Sequence, residues 1–118
     1  MTGRLTGMAC LTPCAQGLNY EEAGELQFGA YRGDVTARYR FVIDDGNTGA
    51  IAVLFADGRL FHRLDLSSGR DDVLHDCAPD RYRGRYRATG PDGWASSWHI
   101  AGPRKRMLIA TRYARATP

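Results

Sequence analysis

Lysine is almost missing from this chain. Lys105 is the one lysine among sixteen basic residues, so arginine carries the net charge of +3. So small an excess does not call for a nucleic-acid partner. Long apolar runs are missing too: nothing approaches the ~18 residues a membrane helix needs. The opening MTGRLTGMACLTP has no apolar core of the secretory kind. A cytoplasmic protein with neither nucleic acid nor membrane as partner is the expectation. Cysteine is sparse, with Cys10, Cys14 and Cys77 making an odd count and no C-x-x-C. On one extended strand the Cα atoms of Cys10 and Cys14 would stand roughly 13 Å apart, beyond the reach of a disulfide. Reduced thiols in a reducing compartment follow. Familiar catalytic signatures are also missing: there is no phosphate loop, no G-x-S-x-G elbow and no H-E-x-x-H. The sequence names no cofactor, and it leaves open whether the protein is an enzyme.

Helix signals are missing as well. No stretch of eleven or more residues carries a clean 3.6 period with caps at both ends. What the chain does have is punctuation. Glycine, proline, Asn and Asp clusters recur about every 8–12 residues, the spacing of an all-β sandwich or barrel. At 118 residues, with 43% hydrophobic and 25% charged content, the chain reads as one domain spanning 1–118. A chain of this size buries roughly two-thirds of its unfolded surface.

Nine strands are predicted. They cover 4–12, 18–28 with a bend or bulge at Gly24, 31–43, 51–56, 59–66, 72–77, 80–88, 94–100 and 105–115. Asp44–Gly49 and Thr89–Gly93 are loops, and Ala78-Pro79 breaks a strand. Short connections favour an up-and-down antiparallel meander. Closing such a meander into a barrel of about eight or nine strands, fully or nearly, buries one face and removes exposed edges.

The chain is organised around Ile51–Asp76, IAVLFADGRLFHRLDLSSGRDDVLHD. Asp57-Gly58 is a strong hairpin signal between two apolar runs. After it, Leu60, His62, Leu64 and Leu66 alternate with Arg59, Phe61, Arg63 and Asp65. The leucine face reads as the buried one, so His62 points inward. His75 and Cys77 share a face with Val73. Two histidines and a thiol aimed inward have metal-ligand chemistry. Zinc, however, wants three or four converging groups. Strand residues two apart lie ~6–7 Å apart at Cα, and nothing fixes His62 beside them. No metal site is expected. The plain alternative is two hydrogen-bonded core histidines and a buried thiol.

Tyr20, Tyr39, Tyr82, Tyr86, Trp94 and Trp98 fall on inward faces. Tyr82 and Trp98 are candidates to line a small-molecule pocket, though aromatics also simply fill β cores. Arg104, Lys105 and Arg106 follow a Gly-Pro turn, either as an anion clamp or as a solvated turn. Arg81, Arg83, Arg85 and Arg87 line one strand face, read as a solvated outer face paired with acids on neighbouring strands. Glu22 shares the inward face with Tyr20 and would be a buried carboxylate; its neighbour Glu21 faces the other way.

Several segments together resemble an uncharacterised bacterial family of unknown function. They are DGRLFH at 57–62, HDCAPDRY at 75–82, the WASSW pair at 94–98, GPRK at 102–105, and NYEEAGEL at 19–26. The likeness spans about residues 3–115. It implies a calycin-like, lipocalin-type β-barrel and no established activity. Similar proteins begin with an additional strand ahead of the Gly3–Gly7 segment, so the resemblance implies either a truncated start or a gap in the barrel, whose unpaired edges a second copy, as a homodimer, would cover.

The first functional expectation is a barrel binding a small amphipathic or anionic molecule. His62, His75, Cys77, Tyr82 and Trp98 would line it, with Arg104 and Lys105 near the mouth. The second is an enzyme in the same cavity, with His62 or His75 as general acid/base and Glu22 or Asp80 as orienter. The third is a structural or interaction module with a filled interior. An open pocket holding both histidines would separate the first two from the third.

Overall fold

A computed structural model describes residues 2–43 and 50–116, so the loop expected at 44–49 lies outside the described residues. The described residues form nine strands and no helix. Among the described residues, accordingly, no helix is long and apolar enough to cross a membrane. The strands are β1 (Gly3–Cys14), β2 (Gly17–Phe28), β3 (Tyr31–Ile43), β4 (Ala50–Phe55), β5 (Leu60–Asp65), β6 (Arg70–Cys77), β7 (Asp80–Gly90), β8 (Gly93–Ala101) and β9 (Arg106–Ala114). They form an antiparallel meander in two sheets, ordered β1-β2-β3-β4-β5 and β6-β7-β8-β9. Two compact units divide the chain, one of residues 1–43 with 52–60 and the other of 44–51 with 61–118.

The expected closure is corrected: neither sheet closes into a barrel. The meander breaks between β5 and β6, where side chains take hydrogen bonds that a ladder would otherwise use. The Asp65 amide donates to the Asp71 carboxylate at 2.9 Å, and the Ser67 amide donates to the Asp65 carboxylate at 2.9 Å. Such local side-chain bonds offer the backbone an alternative to sheet pairing.

In the first unit, β1, β2 and β3 pair without interruption. Gly24 makes no bulge; it pairs with Gly7 on one side and Val35 on the other. A Cβ on either glycine of the pair would run into the facing backbone. Strand alternation puts Tyr20, Tyr39 and Phe41 on one face, where Tyr20 stacks on Phe41 at 5.4 Å and Tyr39 meets Phe55 at 6.3 Å. Tyr20 and Val53 are this unit's buried apolar centre. On the other face Glu21 pairs with Arg38 and Glu25 with Arg32.

The Asp57-Gly58 turn is a three-residue loop rather than the two-residue one its sequence suggests. The Gly58 amide donates to the Phe55 carbonyl at 2.9 Å, and the Phe55 amide to the Arg59 carbonyl at 2.8 Å. Gly58 sits at φ +92°, a conformation costly for any residue with a Cβ. Gly58→Ala should therefore lower stability by about 1 kcal/mol. A urea melt that leaves the midpoint unmoved would refute that.

In the second unit, β6 to β9 alternate as cleanly. One face carries Val73, His75, Tyr82, Gly84, Tyr86, Trp94, Trp98 and Ile100. The other carries the arginines of β7. Arg81 pairs with Asp76 at 2.9 Å and Arg85 with Asp72 at 3.2 Å, as expected of an outer face. Leu64, Val73 and Ile100 are buried with His62 and Ser96.

Candidate functional site

All seven expected site residues lie in the second unit, and four of them come together. The centre is Trp98 on β8. Its cross-strand neighbour on β7 is Gly84, whose own neighbour on β6 is Val73. Glycine is required at position 84 because a Cβ there would stand 2.7 Å from the indole and 2.8 Å from Val73 Cγ2. The indole lies across the bare backbone and meets other rings. It stacks on Phe61 at 5.1 Å, tilts against His62 at 5.4 Å and meets Tyr86 edge-on at 6.0 Å. Phe61 also meets His75 edge-on at 5.1 Å, and His75 meets Tyr82 at 5.8 Å. Tyr86 continues the run to Trp94 at 5.9 Å, and Trp94 stacks on Tyr113 at 3.8 Å.

His62 is the buried member, 3% exposed. A carbonyl oxygen can only accept, so Nδ1–H donates to Arg63 O at 3.2 Å. In the neutral ring Nε2 then accepts from the Tyr86 hydroxyl at 3.3 Å. Burial pushes the His62 pKa below its ordinary 6.5; the Arg63 carbonyl and the Asp71 carboxylate oppose this, and His75 nearby adds to it. His62 is thus a neutral ring with both nitrogens committed. That is a poor general base, because its one lone pair is already engaged.

The remaining residues stand apart from this set. Cys77 shares the strand face of His75 but is exposed at the end of β6, so no buried thiol faces the histidines. All three cysteines are free. The described residues contain no group of three or more His, Cys, Asp or Glu placed to hold a metal ion. Arg104 is exposed at the tip of the β8–β9 turn. In that turn the Gly102 amide donates to the Lys105 carbonyl at 2.8 Å. The Lys105 ammonium lies 3.7 Å from the Asp80 carboxylate. Lys105 therefore ties the turn to the start of β7, and Asp80 is engaged there rather than with a histidine. Glu22 belongs to the first unit, where burial raises its pKa and a hydrogen bond with Tyr20 opposes the rise.

Phe61 is the residue that strand alternation misplaces. The pleat assigns it to the face opposite His62, yet its ring reaches His75 and Trp98. The pleat fixes only the direction of Cβ. β5 is the last strand of its sheet, so no next strand there blocks a wide ring from folding round the edge.

Phe61, His75, Tyr82, Tyr86 and Trp98 are only half-buried. Among the described residues the Trp98 indole N–H and the Tyr82 hydroxyl have no hydrogen-bond partner, and no buried side-chain nitrogen or oxygen lacks one. Both polar atoms are therefore open to solvent. Two open depressions, of about 510 and 540 Å³, lie on the opposite face of β6–β9 and include none of the seven expected residues.

Residues 1–115 match a family of unknown function, DUF6314. The chain belongs to that family. Membership in an uncharacterised family is what the resemblance implied, and DUF6314 brings no activity with it. No curated protein matches the chain, and no solved structure does. The chemistry of this DUF6314 member has to be read from its own residues.

Proposed function

We propose that this protein binds a small amphipathic, anionic molecule on the aromatic–histidine face of its second unit. The observation that supports this is the half-exposed set Phe61, His75, Tyr82 and Trp98, with two polar atoms open to solvent, built over a fixed neutral His62. Ligand sites are mostly aromatic and apolar, with a few placed polar groups. A ring or acyl portion would lie on Trp98 and Phe61. An acidic end would accept from Tyr82 and face the Lys105 end of the same sheet. Binding is favoured over acid/base catalysis because His62 has no free lone pair.

The test is native mass spectrometry of the purified protein, then of the same sample denatured. It is joined to a fluorescence titration with the amphipathic anion 8-anilinonaphthalene-1-sulfonate. A mass excess lost on denaturation, or saturable binding of the probe weakened in Tyr82→Ala, is the expected result. A bare mass together with a probe signal that does not saturate would overturn the proposal and favour a packed interaction module. The native spectrum also reads out the homodimer.

A further inference from the structure

The outward face of β6–β9 holds a second feature, independent of the aromatic side. Across this face the strand registers set Arg70 opposite Arg87, Arg87 opposite Ala95, and Ala95 opposite Arg112. Three guanidiniums thus occupy one row with no acid in it. Like charges directly opposite on neighbouring strands are destabilising. The rest of the face avoids that arrangement, since Arg81 and Arg85 each face an aspartate. Among the described residues Arg70, Arg87 and Arg112 form no ion pair.

Beside this row the surface sinks into the open depression of about 540 Å³. Ala95, Ser97 and Ala110 give it small side chains, Arg85 and Arg87 line it from β7, and Arg112 lines it from β9. The volume is in the range of small-molecule sites, roughly 300–1,000 Å³.

We infer that this depression binds a phosphorylated small molecule, with its phosphoryl group between Arg87 and Arg112 over Ala95. One carboxylate is satisfied by one guanidinium fork. Several unpaired forks around a single small residue suit a dianion with three acceptor oxygens instead. A single-stranded nucleic acid is disfavoured: among the described residues the face offers no Phe, Tyr or Trp for bases to stack on, only the His99 imidazole opposite Arg83, and Asp72 and Asp76 neutralise part of the β7 stripe.

The test titrates the full chain with inorganic pyrophosphate at constant ionic strength, by calorimetry. Three variants are compared. Arg87→Ala and Arg112→Ala each remove one wall from a different strand. Arg81→Ala makes the same charge change outside the depression. The expected result is saturable binding to the wild type and to R81A, weakened about tenfold in R87A and in R112A. The thermal midpoint of R87A should be unchanged or higher, because the like-charge pair with Arg70 is relieved. A second arm uses phosphatidate vesicles, which present the same phosphoryl chemistry on a surface. No saturable pyrophosphate binding, equal loss in R81A, or vesicle binding without pyrophosphate binding would each overturn the inference.

Discussion

Trp98→Ala should destabilise the protein by about 3 kcal/mol and abolish binding of the anilinonaphthalene probe. The side chain is half-buried, which places the cost at the low end of the range for removing a tryptophan. Its contacts keep that cost from being small: the indole covers Gly84, stacks on Phe61, and lies against His62 and Tyr86. Removing it leaves a gap over bare backbone that no neighbour can fill, since glycine has no side chain to move in. A loss of about 3 kcal/mol is a large share of the 5–15 kcal/mol that holds a domain together. Urea unfolding reads the effect, and a midpoint shift within error of the wild type would show that the indole is a surface ornament.

The same contact makes a sharper statement about Gly84. Gly84→Ala should cost about 1–3 kcal/mol by overpacking, since the new methyl meets the far ring of the indole and Val73 together. In a Trp98→Phe background that penalty should shrink, because phenylalanine lacks the indole atoms Cη2 and Cζ2 that the methyl would strike. The two sites would then be non-additive, as residues in contact are. Equal costs in both backgrounds would place the strain on Val73 instead.

Much of this fold was legible because its physics is local. Turn residues and period-two alternation gave nine strands close to those observed, with His62 inward and the β7 arginines outward beside aspartates. Failures came where the deciding contact is distant in sequence or made by a side chain. At the break between the sheets the Asp65 amide donates to the Asp71 carboxylate, a contact that no periodicity encodes. Phe61 left its expected face because β5 ends its sheet, a fact of topology. Cys77 continued the His75 face correctly in phase, but phase does not say that a strand end is exposed. The pairing of Lys105 with Asp80 was hidden for the same reason: it joins a turn to a strand across twenty-five positions of chain. The arginine row of 70, 87 and 112 needs the register of four strands before it exists at all.

His62 provides the second large effect, through its proton as well as its packing. His62→Ala should cost about 2–3 kcal/mol near pH 7.5, from the lost buried ring and from the Tyr86 hydroxyl left without its acceptor. That cost should depend on pH. The folded-state pKa of His62 lies below the ordinary 6.5, so between the two values the unfolded chain binds a proton that the folded protein does not. Stability from His62 is therefore fully present above about pH 6.5 and falls as the pH drops through that value, by at most ~1.4 kcal/mol per pH unit for one proton. The difference in unfolding free energy between wild type and His62→Ala should narrow on going from about pH 8 to pH 5, while groups titrating alike in both proteins cancel. Tyr86→Phe should keep the direction of that slope and lose the hydroxyl bond, about 1 kcal/mol. A wild-type-to-variant difference that stays constant across this range would mean that His62 holds its proton equally in both states, and would remove the fixed neutral ring on which the proposed site is built.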